Sequence, residues 1–239
     1  MQGVNILAKD KCIIIPSYNE KKNIVAVIKN IRRYSEADII VIDDGSDDGT
    51  SAVSREAGAF VLRHPFNMGY GVALQTGYKY AVENNYNILL QIDGDGQHSA
   101  KYIPELFSQV ENYDCDVAIG SRFLGESQYR AGFRKSAGIK LFRKIIWLIT
   151  GESITDPTSG YQCLNSKVFK YFTNDNFPCD YPDANVIIML HRAGFKIREI
   201  PVEMTLNPDG RSMHRGVFTI SYYLFKMFLS IFVALIRRN

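Results

Sequence analysis

Two carboxylates one residue apart, Asp93 and Asp95, are the residues of this sequence best suited to chemistry. They follow an apolar run at residues 89–92 and stand in the glycine-flanked turn Asp93-Gly94-Asp95-Gly96. Carboxylates this close repel each other, and a divalent cation between or beside them removes the repulsion. Mg²⁺ and Mn²⁺ bind one or two carboxylates together with phosphate oxygens of a substrate. The turn therefore predicts a metal and phosphate site, although a plain Asp-Gly turn after a strand has the same pattern.

A calcium-binding loop is the competing metal site, and neither acidic cluster fits it. A loop of the EF-hand type needs a glycine at its sixth position and a bidentate Glu at its twelfth. Counting from Asp44, the twelfth position is Arg55. Counting from Asp93, the sixth position is His98 and the twelfth is Pro104.

A second acidic segment, Asp43-Asp44, directly follows another apolar run. An acidic residue at a strand end of a nucleotide-binding α/β fold commonly accepts hydrogen bonds from a ribose or a base. The other interpretation is a turn before a helix that Asp47, Asp48 or Thr50 caps. The two interpretations are compatible, because different residues could serve each role.

Gly69-x-Gly71 and Arg122 are weaker signals. The two glycines lack the third glycine of a dinucleotide-binding fingerprint, which argues against a Rossmann dehydrogenase. They open a predicted helix, whose free N–H groups could lie near a phosphate. Arg122 follows a further apolar run, where it predicts either a phosphate contact or a surface salt bridge.

The elements that must position these residues alternate along the first two-thirds of the chain. Apolar runs predict strands at residues 12–15, 39–42, 60–62, 88–92 and 117–119. Helical spacing of apolar residues predicts helices at residues 24–31, 53–57, 72–82 and 103–110. This alternation is typical of a mostly parallel sheet that helices cover on both faces. The acidic clusters follow strands, and ligands of an open α/β sheet bind at that edge.

The composition is that of a globular protein. Its 239 residues suffice for one α/β domain, and 46% hydrophobic with 22% charged residues argues against disorder. The net charge of +3 is too balanced to indicate a nucleic-acid partner. No two cysteines form a C-x-x-C pair, so neither a zinc site nor a dithiol redox site is predicted. Cys12 and Cys115 are predicted core thiols, and a reducing compartment fits best.

The two ends of the chain differ in character. Residues 1–11 have no long apolar stretch, so no secretory signal is predicted. Residues 217–236 are largely apolar, but Lys226 near their middle would cost roughly 2.5–3.5 kcal/mol inside a bilayer. The polar residues fall on one stripe of a helix: Thr219, Tyr223, Lys226, Ser230 and Arg237. We therefore predict a helix in the membrane interface, with four arginines near anionic headgroups: Arg211, Arg215, Arg237 and Arg238.

Residues 134–150 are a second candidate for such a helix, because they mix Arg and Lys with large apolar residues. The other interpretation is that both helices pack on the domain or on a partner chain, since amphipathic helices usually serve a core.

Together these segments resemble glycosyltransferase family 2, in particular its branch of dolichyl-phosphate mannose synthase and bacterial polyprenyl-phosphate glycosyltransferases. The resembling segments run in the family's order to about residue 205: Ile15-Pro16-Ser17-Tyr18-Asn19-Glu20, residues 41–50, Asn67-x-Gly69-x-Gly71-x-Ala73, Asp93-Gly94-Asp95-Gly96-Gln97-His98, Gly120-Ser121-Arg122-Phe123 and Asp156-Pro157-Thr158-Ser159-Gly160-Tyr161. The resemblance implies a single α/β domain of the GT-A type at residues 1–210. A basic, amphipathic, membrane-associating segment at residues 211–239 would follow it.

The resemblance also implies roles for individual residues. The residues that would bind the nucleotide-sugar are Pro16, Tyr18, Glu20, Ile42, Asp44, Gly71, Asp93, Gly94 and Asp95. Those that would hold Mg²⁺ or Mn²⁺ are Asp93, Asp95 and Gln97, and those that would be catalytic are Asp95 and Arg122. On the acceptor side would lie Arg122, Ser159, Asp180, Asp183 and Arg211, with the segment 156–160 shaping that side.

One segment departs from the family's pattern. Relatives often carry Arg and then Gly-x-Ser-Lys after the last strand, whereas this chain has Asn207 and Met213 at the positions of the Arg and the Lys. Arg211 could supply the missing charge. The departure weakens the case for a lipid phosphate as the acceptor against a sugar hydroxyl.

The expected activity is an inverting transfer of a sugar from a UDP- or GDP-sugar to a polyprenyl phosphate. The protein would be peripheral to the inner, cytoplasmic face of the cell membrane, and a homo-oligomer is possible. The first alternative is transfer to a saccharide hydroxyl in surface polysaccharide synthesis, with Asp180 or Asp183 as general base. The second is a nucleotide-sugar-binding module without turnover, against which the intact Asp93-x-Asp95 pair argues.

Overall fold

A computed structural model describes residues 10–112, 115–124, 133–204 and 217–236 of the chain. Within these residues, seven strands form one sheet in the order β3-β2-β1-β4-β6-β5-β7. The strands are β1 (Lys11–Ser17), β2 (Asp38–Asp43), β3 (Phe60–Arg63), β4 (Ile88–Gln91), β5 (Val117–Ser121), β6 (Gln162–Asn165) and β7 (Ile197–Pro201). The five predicted strands are all present, each within two residues of its predicted ends.

The sheet is mostly parallel, as predicted. β1 pairs in parallel with β2 and β4, β2 with β3, and β5 with β7. Only β6 among the described strands runs antiparallel to its neighbours, β4 and β5. Because β6 is antiparallel to both β4 and β5, these two strands run in the same direction. The carboxyl ends of β1, β2, β4 and β5 therefore meet at one edge of the sheet.

Eight α-helices accompany the sheet in the described residues. They are α1 (Ile24–Arg32), α2 (Thr50–Glu56), α3 (Tyr70–Glu83), α4 (Ile103–Asn112), α5 (Phe133–Thr150), α6 (Ser166–Phe172), α7 (Ala184–Arg192) and α8 (Val217–Ile236). Successive residues of β1 face opposite sides of the sheet, as a pleated strand requires. Ile13 packs into a core with α1 and α4, and Ile14 into a second core with α3, α6 and α7.

The prediction that Cys12 and Cys115 are core thiols is confirmed. Cys12 and Cys115 are buried, and both thiols are free. Burial raises the pKa of the Cys12 thiol far above its ordinary value, so it acts as a small apolar core residue.

A third apolar cluster joins α5, α7 and α8. Phe142 of α5, Ile188 of α7 and Met227 of α8 belong to it, and all three are buried. Two polar residues of α8 bond to other parts of the domain: Ser230 accepts a hydrogen bond from the side-chain amide of Asn185 on α7 (2.6 Å), and Lys226 pairs with Asp180 (2.7 Å). The polar stripe of α8 is thus directed, at these two positions, to the domain. The packing of both helices on α7 agrees with the alternative interpretation of them.

The outward face of α8 is nevertheless strongly apolar. Phe225 is 65% exposed and Phe232 is 59% exposed. On α5, Trp147 and Leu148 are 56% and 65% exposed. No helix in the described ranges unites the length and the apolar character that crossing a bilayer requires.

The loop before α7 packs closely on Gly71, in the first turn of α3. A Cβ at Gly71 would lie 2.1 Å from the carbonyl oxygen of Pro178 and 2.5 Å from that of Cys179. Backbone cannot yield as a flexible side chain can, so Gly71→Ala should lower the free energy of unfolding by about 1–3 kcal/mol. Gly138→Ala on α5 is the matched control, because no heavy atom lies within 4 Å of its added Cβ. Urea unfolding of both variants checks this, and equal stabilities would contradict the close packing.

Candidate active site

The acidic turn stands where the sheet brings several strand ends together. Asp93 and Asp95 follow β4, and Ser17 ends the neighbouring strand β1. A Cβ at Gly94 would lie only 2.7 Å from the Ser17 hydroxyl, so the two strand ends are in direct contact. The segment that follows β1 and the acidic turn therefore form one continuous surface.

The carboxylate of Asp93 is held from two sides. The Tyr70 hydroxyl donates to Oδ1 at 2.9 Å, and Nε2 of His98 lies 3.3 Å from Oδ2. Burial alone would raise the pKa of Asp93, but the hydrogen bonds and charge of His98, the bond from Tyr70 and the charge of Arg122 outweigh it. The pKa of Asp93 is therefore lowered, and the group is an anion at neutral pH. Burial and the charge of Asp93 raise the pKa of Tyr70, which keeps its hydroxyl a donor.

Asp95 is in the opposite electrostatic situation. Burial and the charge of Asp93 raise the pKa of Asp95, against hydrogen bonds from Gln97. The backbone N–H of Gln97 donates to Oδ1 at 3.0 Å, and its side-chain amide donates to Oδ2. Two carboxylates that destabilise each other's charge are what a divalent cation relieves.

The donor set fits a hard cation that also binds phosphate. Asp93, Asp95 and the amide oxygen of Gln97 offer oxygen ligands in one turn. Among the described residues, no cluster of three His, Cys, Asp or Glu side chains could hold a metal on its own. A magnesium-type site differs from such a cluster, because it uses one or two carboxylates and takes further oxygens from the substrate.

Gly160 packs directly on the supported carboxylate. A Cβ at Gly160 would lie 2.9 Å from Asp93 Oδ2 and 2.9 Å from the Tyr70 hydroxyl oxygen. The loop before β6 thus requires glycine here in order to approach the acidic turn. His98 completes this arrangement, because its ring lies 5.0 Å from that of Tyr161.

Gly160→Ala is expected to displace Asp93 or break its bond to Tyr70. A lost hydrogen bond to a charged group is worth about 1.5–3 kcal/mol, so we expect activity to fall roughly tenfold or more. Tyr70→Phe removes the same bond without adding an atom and should reproduce most of the loss. Steady-state kinetics of both variants check this, and full activity in both would remove the Tyr70–Asp93 bond from the site.

The residues predicted to bind the nucleoside lie around the ends of β1 and β2, and they differ in how exposed their side chains are. Tyr18 is 49% exposed, directly after β1, and Glu20 is partly exposed in the turn that leads to α1. Pro16 is a buried residue of β1. Ile42 has no exposed surface, so its side chain can only support such a pocket from behind.

Asp44 is fully engaged by its own chain. Its Oδ1 lies 2.7 Å from Nδ1 of His64 and accepts the Met68 N–H at 2.8 Å, while Oδ2 accepts the Gly69 N–H at 2.9 Å. The residue is 4% exposed. Its carboxylate therefore fixes the loop that leads into α3. The predicted turn before α2 is present, because Asp48 accepts the N–H of Thr50 at 2.9 Å. The predicted cap by Asp47, Asp48 or Thr50 was wrong, since the N-cap of α2 is Gly49 and no side chain caps the helix there.

Arg122 is not a surface residue, and that alternative interpretation was wrong. Its Nε and Nη2 each lie 2.6 Å from an oxygen of Asp156, and Nη2 also donates to Thr158 Oγ1 at 2.8 Å. Arg122 and Asp156 are 4% and 0% exposed. This bidentate pair ties the end of β5 to the loop that carries Gly160.

The remaining acceptor-side residues do not form one cluster. The Ser159 hydroxyl donates to the carbonyl of Gly120 at 2.6 Å, which gives it a structural contact. Asp180 is exposed and bound to Lys226. Asp183 precedes α7, and after burial and the effects of Asp93 its charge also contributes to the raised pKa of Tyr70. Arg211 lies outside the described residues.

The sequence did not predict the roles of Tyr70 and Glu199, or the pairing of Asp156 with Arg122. Tyr70 stands between the two glycines at the start of α3, so only their spacing could have drawn attention to it. Asp156 is 34 residues from Arg122 and gives no local signal for their pairing. Glu199 of β7 holds the same loop, because it accepts the N–H groups of Thr155 (2.7 Å) and Asp156 (2.8 Å).

Comparison with known proteins bears directly on this arrangement. UDP-N-acetylglucosamine–dolichyl-phosphate N-acetylglucosaminyltransferase of Methanococcus voltae is 26% identical over 80% of this chain and 84% of that protein. Polyprenol monophosphomannose synthase of Mycolicibacterium smegmatis is 28% identical over 85% of this chain and 80% of that protein. The crystal structure of glucosyl-3-phosphoglycerate synthase from Mycobacterium tuberculosis, with Mn²⁺, UDP and phosphoglyceric acid, shares the fold. Its TM-score is 0.72 at 17% identity, over 97% of this chain and 80% of that one.

The family model "Glycosyl transferase family 2" matches residues 12–172, from the first core strand to the last turn of α6. This range contains the acidic turn, Tyr70, Arg122 and Gly160. The chain belongs to glycosyltransferase family 2.

Proposed function

We propose that the protein transfers a sugar, with inversion, from a UDP- or GDP-sugar to a polyprenyl phosphate at the cytoplasmic face of the membrane. Two of its relatives carry polyprenol or dolichyl phosphate and a sugar in their names, which supports this acceptor class. The observation that carries the proposal is the acidic turn after β4, where His98 and Tyr70 hold Asp93 as an anion, and where burial and the charge of Asp93 raise the pKa of Asp95.

Asp93, Asp95 and Gln97 would hold Mg²⁺ or Mn²⁺ at this turn. When bound, such a cation neutralises the charge that develops on a departing nucleoside diphosphate. The structural neighbour that contains Mn²⁺ and UDP supports this choice of cofactor. Tyr70, His98 and Gly160 keep the Asp93 carboxylate in one orientation, which is the preorganisation that charge stabilisation needs.

A polyprenyl phosphate requires little proton chemistry from the protein. Its oxygen is already ionised at neutral pH, because the second pKa of a phosphate monoester lies near ~6. The chain must then position the nucleophile rather than deprotonate it. Since Asp156 holds Arg122 in a bidentate pair, we assign Arg122 to fixing the loop of Gly160, and its charge also helps to lower the pKa of Asp93.

Transfer to a saccharide hydroxyl is the second candidate, and Asp183 favours it. A hydroxyl nucleophile needs a general base. Of the two predicted bases, Asp183 is the one whose charge acts on Tyr70, the residue that bonds Asp93. We therefore assign the role of base to Asp183.

The exposed apolar faces of α5 and α8 support attachment to a membrane surface. Large aromatic residues such as Trp147, Phe225 and Phe232 are exposed on them. Monomeric soluble proteins rarely expose contiguous apolar patches of this kind, and membrane contact is one of their common uses.

The proposal is tested by incubating the full chain with a panel of nucleotide-sugars, Mn²⁺ and undecaprenyl phosphate in detergent. We expect a glycolipid with one donor, and none after chelation of the metal. Formation of product only with a saccharide acceptor would favour the second candidate. Asp183→Asn separates the two, because it should abolish transfer to a hydroxyl and spare transfer to a phosphate.

A further inference from the structure

An open cavity of about 340 Å³ lies between α5 and the segment at residues 153–155. Three cationic side chains of α5 line it, from Lys140, Arg143 and Lys144, together with Ser153. No carboxylate of the described residues is part of its lining. Within the described lining, the cavity therefore presents concentrated positive charge that no carboxylate neutralises.

Arg143 shows this imbalance at the atomic level. Its Nε and Nη2 are buried, and within the described part of the chain no group accepts a hydrogen bond from them. Its guanidinium lies 4.9 Å from the ring centroid of Phe123, a contact that compensates a buried charge only in part. Arg122, next to the same ring at 5.6 Å, differs because Asp156 neutralises it.

The rim of the cavity is apolar and exposed. Trp147 lines the cavity, and Leu148 beside it is among the most exposed large apolar side chains of the described residues. Lys144 and Lys140 are exposed about one turn and two turns before them on α5. Tryptophan with lysine at such a boundary is typical of the headgroup level of a bilayer, where cations meet phosphate and apolar side chains meet acyl chains.

We propose that this cavity binds the phosphate of an anionic phospholipid headgroup and thereby orients the enzyme on the membrane. The positive charge of the cavity fits a phosphate, and its exposed apolar rim favours a lipid phosphate over a free one. The inference rests on the membrane attachment in the proposed function, and it is independent of the transfer reaction.

The test compares vesicle binding of the full chain and two charge-matched double variants. Lys140→Gln/Lys144→Gln removes two charges from the cavity. Lys29→Gln/Lys79→Gln removes two exposed charges from α1 and α3. The vesicles are pure phosphatidylcholine or phosphatidylcholine with phosphatidylglycerol. We expect the cavity variant to bind the anionic vesicles about tenfold or more weakly than wild type, and the control to change little.

Arg143→Gln is the second variant, since its charge is largely buried and contributes little to a diffuse surface field. It should weaken binding to anionic vesicles and leave binding to neutral vesicles unchanged, and Arg143→Lys should restore part of it. Equal losses in the cavity and control variants would overturn the proposal, because diffuse charge would then explain binding. A second outcome would also overturn it. If the cavity variants still bound anionic vesicles but no longer bound farnesyl phosphate presented in detergent, the cavity would hold the acceptor and not a membrane lipid.

Sugar transfer is measured separately in detergent micelles, where no bilayer is present. Cavity-dependent vesicle binding without transfer would support this inference and contradict the proposed function. If the wild type transfers sugar but the cavity variants bind anionic vesicles as tightly as it does, this inference alone is contradicted.

Discussion

Asp95→Asn is expected to lower kcat by about 10²–10³ while the protein stays folded, because the substitution removes one charge-stabilising group at the leaving diphosphate. The side chain keeps its shape, and Gln97 can still donate a hydrogen bond to the remaining oxygen. Since the pKa of Asp95 is raised by burial and by Asp93, removing its charge should not destabilise the fold. Initial rates at saturating donor and metal measure the effect.

Asp175→Asn is the matched control for this prediction. It makes the same substitution at an exposed residue between α6 and α7 and should leave the rate unchanged. Urea unfolding should give both variants the stability of wild type. A near-normal rate for Asp95→Asn, with metal dependence retained, would remove Asp95 from the site.

Asp156→Ala is expected to lower the free energy of unfolding by about 3–5 kcal/mol. The substitution leaves the Arg122 guanidinium buried without its bidentate partner, and an uncompensated buried charge is strongly destabilising. Urea unfolding monitored by circular dichroism measures the loss. The same variant should lose activity, because the loop that places Gly160 on Asp93 is released.

The double variant Arg122→Met/Asp156→Leu separates the two effects. Replacing a buried ion pair by apolar residues of similar volume is often close to neutral, so stability should largely return. Activity should stay low, since the charge of Arg122 no longer acts on Asp93. A change of less than about 1 kcal/mol in Asp156→Ala would place the pair among solvated ion pairs and contradict its burial.

The part of the fold that the sequence predicts is the part built from continuous apolar strands. Residues 12–15 and 39–42 are buried on both faces of the sheet. Because every position of such a strand is apolar, the sequence shows a continuous apolar run that identifies the strand. The acidic turn could be located for the same reason, since it directly follows such a run. Its placement at the carboxyl edge then follows from the parallel order of the strands.

The second half of the sheet gives no comparable local pattern. β6 is only four residues long, Gln162–Asn165, and it begins and ends with polar side chains. β7, Ile197–Pro201, lies at the sheet's edge and has two successive charged residues, Arg198 and Glu199, between its isoleucines. Length and composition of these segments do not separate them from loops, so β6, β7 and the helices between them were not predicted.

The supports of the site depend on contacts between distant segments. Neither the bond from Tyr70 to Asp93 nor the pair of Arg122 and Asp156 follows from spacing, because each joins elements that only the folded sheet brings together. The same is true of Lys226, whose position on an apolar helix predicted a place in the membrane interface. In the structure its partner is Asp180, in a loop before α7.

The most direct test of the central claim is the anomalous scattering of Mn²⁺ in crystals grown with UDP and the metal. We expect one strong peak within bonding distance of the Asp95 carboxylate and of the diphosphate, beside Asp93. A peak elsewhere, or a diphosphate bound with the acidic turn directed away from it, would contradict the account.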